Sequence, residues 1–282
     1  MAKYVYLFGG GKADGDRSMK QLLGGKGANL AEMTTIGIPV PPGFTISTEV
    51  CAHVNDKGEY PGELNSQIDE AISQLEGFMG KKFGDSEDPL LVSVRSGAAV
   101  SMPGMMDTVL NLGLNDQSVR ALEKKAPRFA WDIYRRLISM FGDVVLEIPG
   151  EKFTQAMDKL KDKVGVEFDT DLTVDNLKEL CDIDKAIIKE EKGVEFPQNP
   201  REQLQRAIDA VFGSWNNDRA IRYRQMNDIM GLLGTAVNVQ TMVYGNMGED
   251  CATGVCFTRD PSTGDRAPYG EYLINAQGED VV

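Results

Sequence analysis

The chain has 282 residues, with 43 Asp and Glu against 30 Lys and Arg and a formal net charge of −13. That balance excludes a nucleic-acid or anionic-membrane surface, which needs clustered Lys and Arg, but leaves room for a small phosphate ligand held by two or three local cations. No run of about 18 apolar residues occurs and the start lacks a charged-then-apolar leader, so a soluble, cytoplasmic (or, in a eukaryote, organellar) protein is expected.

Residues 4–8 (Tyr-Val-Tyr-Leu-Phe) read as a short strand, followed by a polar Gly/Asp loop over 9–18. A helix is predicted over 25–36, ending at Gly37, and the proline-rich segment 38–43 must be extended. Leu64, Ile68, Ile72, Leu75 and Met79 recur at helical spacing and predict an amphipathic helix. Leu90-Leu91-Val92-Ser93-Val94 reads as a strand that delivers Arg95 to its end, ahead of a Gly/Ser/Met loop. Residues 114–197 are charged and helical in pattern, with Phe129, Ile133, Leu137 and Met140 marking one face and Leu177, Leu180, Ile183 and Ile187 others. This stretch is expected to be an all-helical insertion that packs as a subdomain. Residues 196–200 (Phe-Pro-Gln-Asn-Pro) read as a linker out of it. The next helix carries Leu204, Ile208, Val211 and Trp215 on one face. Strands are predicted over 236–244, 254–258 and 272–275, with a turn at Asp260–Asp265. Ending at Glu279-Asp280-Val281-Val282 without a cap suggests a cut fragment.

Two segments carry chemistry. A strand end followed by a Gly/Ser loop can present backbone N–H groups to a phosphate, and Arg95 adds a planar, permanently charged fork for the same anion. In Leu22-Leu23-Gly24-Gly25-Lys26-Gly27-Ala28-Asn29-Leu30, a lysine sits among glycines at a helix start. That is an unfavourable place for a cation unless an anion joins it. No Ser or Thr follows Lys26, and Lys20 stands where a Walker A loop has its first glycine, so the segment is not a P-loop. Cys51, Cys181, Cys251 and Cys256 are scattered and expected to be reduced structural thiols. His53, the single histidine, reads as the exposed flank of a helix and is expected to be a bystander rather than part of a triad.

The segments 23–33 (Leu-Gly-Gly-Lys-Gly-Ala-Asn-Leu-Ala-Glu-Met) and Ser93–Thr108, with 43–48, 111–116 and 270–280, resemble the amino-terminal, ATP-binding part of the pyruvate, phosphate dikinase family. The likeness runs from end to end, and Met-Pro-Gly-Met-Met-Asp-Thr at 102–108 differs from the loop of the related phosphoenolpyruvate synthases. It implies an α+β, ATP-grasp-like fold: a first jaw at 1–113 with 198–243, the helical insertion at 114–197, and an incomplete second jaw from 244 to 282. It further implies Mg²⁺ with ATP, and transfer of the β,γ-pyrophosphoryl group to a histidine on a separate swivelling domain. Inorganic phosphate takes the terminal phosphoryl, and the phosphohistidine converts pyruvate to phosphoenolpyruvate in a third domain of a homodimeric protein. By the same resemblance Lys26, Arg95, Gly104 and Thr108 meet the phosphates, and Gln240 and Met242 line the adenine pocket. Arg219, Ser262 and Glu271 are candidate docking contacts for the swivelling domain. The phosphorylated histidine is absent here, and Glu271, Glu279 and Asp280 are not assigned to a metal. This chain alone is therefore not expected to complete the reaction. The alternatives are a phosphoenolpyruvate synthase-like dikinase and a nucleotide-binding module without transfer.

Overall fold

The computed structural model describes residues 2–281. Its centre is a six-stranded antiparallel sheet in the order β2-β1-β3-β8-β6-β7. The strands are β1 (Val5–Gly9), β2 (Lys12–Ala13), β3 (Gly43–Ile46), β6 (Val92–Gly97), β7 (Thr108–Leu112) and β8 (Ala236–Thr241). Two-residue strands β4 (Lys82–Phe83) and β5 (Pro89–Leu90) pair with each other, and β9 (Ala252–Phe257) forms a separate hairpin with β10 (Tyr269–Ile274).

β8 shows why an alternating pattern does not guarantee a wet face. All six of its residues are buried, although Asn238 and Gln240 alternate with Val237 and Val239. The valines point toward the core beneath helix α8 (Pro200–Ser214), and the polar face is covered by α1 (Lys20–Thr35). The longest-range pairing in the sheet inserts β8 between β3 and β6.

Helices follow their local signals closely. α3 (Leu64–Met79) buries Leu64, Ile68, Ile72 and Leu75. α8 starts on an Asn199 cap that accepts from the Arg201 and Glu202 N–H groups, with Pro200 in the first turn, where a missing N–H costs nothing. Its predicted apolar face, Leu204, Ile208, Val211 and Trp215, is buried.

Four departures from the sequence reading bear on the site. The strand at Arg95 does not end there but runs on to Gly97, because Arg95 and Ser96 both find ladder partners in β8. α1 begins at Lys20 rather than residue 25, and a break at Gly24 (φ 69°, ψ 170°) separates its first turn from the rest. Helix α9 (Asp218–Met226), which sequence periodicity did not reveal, starts on an Asn217 cap. Within 114–197, α4 (Asp116–Glu123), α5 (Pro127–Met140), α6 (Glu151–Val164) and α7 (Val174–Lys192) account for the helical character. In α7 the buried face runs through Leu177, Leu180, Cys181, Asp184 and Ile188, so Ile183 and Ile187 are only half-buried and a carboxylate sits inside. One hydrophobic cluster joins Val92, Val94 and Leu112 of the sheet to Phe129, Ile133 and Leu137 of α5 and Leu177 of α7. No helix is long and apolar enough to cross a membrane among the described residues.

Candidate functional site

The glycine segment of α1 and the strand bearing Arg95 meet. Gly24 stands so close to Gly97 that a methyl group on it would lie 1.6 Å from the Gly97 carbonyl oxygen, and its φ of 69° is one only glycine adopts without strain. One residue on, the Gly25 N–H donates to the Ala98 carbonyl at 2.8 Å. The break at Gly24 thus turns the chain so that the first N–H groups of the continuing helix, and Lys26 among them, overlook the end of β6. Gly27 sits directly on the sheet, with its missing methyl 2.7 Å from Thr45 Oγ1 and 3.0 Å from Asn238 Oδ1.

Beneath that helix start, strand register aligns Thr45 of β3, Asn238 of β8, Arg95 of β6 and Thr108 of β7 as directly opposite residues in one row. Opposite residues of antiparallel strands share a face, so the arginine, the amide and both hydroxyls stand side by side. The Arg95 Nε is buried and has no hydrogen-bond partner. Among the described residues neither Lys26 nor Arg95 has a carboxylate within ion-pair distance. Burial lowers the pKa of each, and for Lys26 the charge of Arg95 lowers it further; the Glu279 carboxylate pulls that of Arg95 the other way. The Lys26 side chain is crowded by neighbouring atoms yet still reaches solvent. Two mutually repelling cations of which one lacks a partner for a buried N–H form a site that an anion would stabilise.

The loop 98–107 closes one side. Asp107 O accepts from the Ser96 N–H at 3.4 Å, Met105 N–H donates to Met102 O at 3.2 Å, and Met102 is buried. α9 fastens the loop from outside: Asn217 Nδ2 donates to Met105 O at 3.4 Å, and Arg219 Nη2 donates to Asp107 Oδ1 at 2.9 Å. Burial raises the Asp107 pKa even with Arg219 beside it. Gly104 lies at the exposed tip with open space around its Cα.

The remaining sequence-predicted residues fall in three places. Gln240, two residues from Asn238 on the same face of β8, is buried and donates from Nε2 to Pro41 O at 3.0 Å. Met242 lies just beyond the strand end, its N–H bonded to Leu91 O at 3.0 Å and its side chain half-buried. Ser262 and Glu271 are exposed on the β9–β10 hairpin. No hydrogen bond or ion pair among the described residues joins either of them to Arg219, whose charge is instead engaged by Asp107.

Residues missed from the sequence include Asn238 and Thr45, whose hydroxyl donates to Asn238 Oδ1 at 2.8 Å. The signal for Asn238 was its place two residues before Gln240 in an alternating strand. Arg136 was missed as well. It gathers Asp132, Glu279 and Asp280 at 2.9–3.1 Å and so ties the segment after β10 to α5. Asn246 Nδ2 donates to the same Asp132 at 2.9 Å. Burial pushes the Asp132 carboxyl up, but Arg135, Arg136 and Arg128 together bring it below its ordinary value. With Glu279 and Asp280 claimed by Arg136, no group of three His, Cys, Asp or Glu among the described residues is arranged to hold a metal ion.

Comparison with known proteins identifies the chain's relatives. A family model described as pyruvate phosphate dikinase, AMP/ATP-binding domain, matches residues 20–71 and 58–282. The chain is 60% identical over 286 aligned residues to pyruvate, phosphate dikinase of Clostridium symbiosum, covering 100% of this chain and 32% of that protein. It is 56% identical to pyruvate, phosphate dikinase 1, chloroplastic, of Arabidopsis thaliana (99% and 29%) and 54% identical to that of Zea mays (99% and 30%). The chain spans about a third of the length of these relatives. It belongs to the pyruvate, phosphate dikinase family, of which it carries the AMP/ATP-binding domain.

Proposed function

We propose that this chain binds Mg-ATP with the triphosphate between Lys26 and Arg95, as the nucleotide-binding part of a dikinase. In the protein that contains it, the β,γ-pyrophosphoryl group would pass to a histidine on a swivelling domain. The terminal phosphoryl would then go to inorganic phosphate, and the rest would convert pyruvate to phosphoenolpyruvate. The observation that carries the reading is the pairing of two neighbouring cations, neither held by a carboxylate, with the buried, unpartnered Arg95 Nε.

Phosphoryl transfer of this kind asks a protein for positioning and charge neutralisation more than for side-chain chemistry. Lys26 and Arg95 supply the charge, with Arg95 in planar, bidentate form. Thr108, opposite Arg95 in the register, would add a hydroxyl, and Gly104 a backbone N–H when the loop lies over the phosphates. Gln240, near the end of β8, and Met242, just beyond it, would meet the base at the edge of the face that α1 covers. In this reading residues 1–113 with 198–243 form the first jaw of an ATP-grasp-like clamp, 114–197 an insertion, and 244 onward the start of the second jaw. Ser262 and Glu271, on the exposed hairpin, are proposed docking contacts for the swivelling domain, and Arg219 would join them while holding Asp107. Mg²⁺ is proposed to enter with ATP as its counter-ion.

In the protein that carries this chain at the family's full length, label from the β- and γ-phosphates of ATP should appear on a histidine. Arg95→Ala should abolish that labelling. Labelling that persists at the parent rate in Arg95→Ala would refute the assignment.

A further inference from the structure

We propose that Asn238 is a further phosphate-binding residue, its side-chain amide donating to the anion that Lys26 and Arg95 attract. The proposal rests on the ATP-binding reading above and names a third donor in that site.

Asn238 is 1% exposed. Thr45 Oγ1 donates to its Oδ1 at 2.8 Å, which engages the carbonyl end of the amide and leaves the buried Nδ2 as the free donor. That Nδ2 has no partner among the described residues, and neither does the Nε of Arg95, the residue directly opposite on β6. A buried donor left unmade costs about 1–3 kcal/mol. Two such donors on adjacent strands, facing the same way beneath a helix start, point to one acceptor shared between them.

Gly97 provides the opening. A methyl group there would lie 2.5 Å from Asn238 Nδ2 and 3.6 Å from Lys26 Cβ, so the bare glycine keeps clear the space between the amide and the lysine. An acceptor shared by the amide and the Arg95 Nε would also lie near the Lys26 stem, whose Cβ flanks the Gly97 gap. Only an oxyanion offers enough lone pairs for all three. The rival role, an amide that merely glues α1 to the sheet, is already served by the Thr45 bond and the close approach of Gly27, and neither uses Nδ2.

The test is equilibrium dialysis of radiolabelled ATP with the parent chain, Asn238→Ala and Asn238→Asp, beside Lys26→Ala and with folding checked by circular dichroism. Adenosine binding is followed in parallel by ligand-detected NMR. Asn238→Asp keeps the shape and the Thr45 bond but replaces the donor with an acceptor facing the phosphate. ATP affinity is expected to fall about tenfold in Asn238→Ala and further in Asn238→Asp, with adenosine unchanged. Retained ATP affinity in Asn238→Ala while Lys26→Ala loses it would overturn the role of Asn238 and leave the site standing. An equal loss of adenosine and ATP affinity would also overturn it, since the residue would then act through the fold. Absence of ATP binding in the parent chain would instead sink the reading on which the proposal rests.

Discussion

Asp184 shows how strongly one residue's setting can depart from its sequence context. It lies 2% exposed on the inner face of α7, and its Oδ1 has no partner. The nearest guanidinium, Arg135, is already taken by Asp132 at 3.0 Å and Asp169 at 3.3 Å. Burial, only partly opposed by Arg135, pushes the Asp184 carboxyl up to about 8. The folded state therefore keeps a proton that the unfolded chain, with an ordinary carboxyl near 3.9, releases. Stability from this residue is full below the unfolded value and is lost as pH rises from about 4 toward 8. Asp184→Asn removes the ionisation. The variant should match the parent near pH 4 and exceed it by more than about 1.4 kcal/mol, the worth of a single pKa unit, at pH 8. Urea denaturation across that pH range checks it, and a pH-independent difference would contradict the burial argument. Lys26 and Arg95, by contrast, were legible from the sequence because their signal is local: glycines around a lysine, and an arginine ahead of a Gly/Ser loop. Asn238 was not, because nothing in its neighbourhood shows that β8 lies between β3 and β6.

At the scale of elements, α1 depends on its break at Gly24. Gly24→Ala would place a methyl 1.6 Å from the Gly97 oxygen in a backbone conformation unsuited to alanine. The expected cost is at least about 2 kcal/mol, with ATP binding lost together with the Gly25–Ala98 hydrogen bond. Chemical denaturation of the variant measures the first and titration with ATP the second; parent-like values would contradict the geometry. Arg136 plays a comparable part between elements. Its side chain is about nine-tenths buried and binds Asp132 of α5 and Glu279 and Asp280 after β10. Arg136→Ala should destabilise by about 3 kcal/mol, since it leaves a buried carboxylate short of a partner. Amide exchange in residues 275–281 should quicken while that of β8 stays slow, and unchanged exchange there would show that Arg136 is not the anchor. Helices with their own caps and periodicity, such as α3 and α8, could be read directly, whereas α9 could not. Its nine residues bury only Ala220, so it has no apolar face to give it away.

The whole molecule is unevenly supported. The central sheet is buried under helices, but β9 and β10 form a two-stranded hairpin that leaves Val255, Phe257, Tyr269, Tyr272, Leu273 and Ile274 exposed. An isolated hairpin is marginal in water. Hydrogen exchange should therefore find β8 protected to near the global stability and β9–β10 opening far more readily; equal protection would contradict this division. The placing of β8 between β3 and β6 arises from pairings more than a hundred residues apart, and the two glycine segments meet through the Gly25–Ala98 contact between distant parts of the chain, neither of which a local pattern encodes. The family resemblance supplied only the expectation that Lys26 and Arg95 share one ligand, which periodicity could not. The central claim is that those two segments converge on one triphosphate, and calorimetric titration of this chain with Mg-ATP, beside folded Lys26→Ala and Arg95→Ala variants, tests it most directly. The account predicts saturable binding by the parent and at least about a tenfold loss in each variant, as expected for charge-assisted contacts. Parent-like affinity in either variant would contradict it.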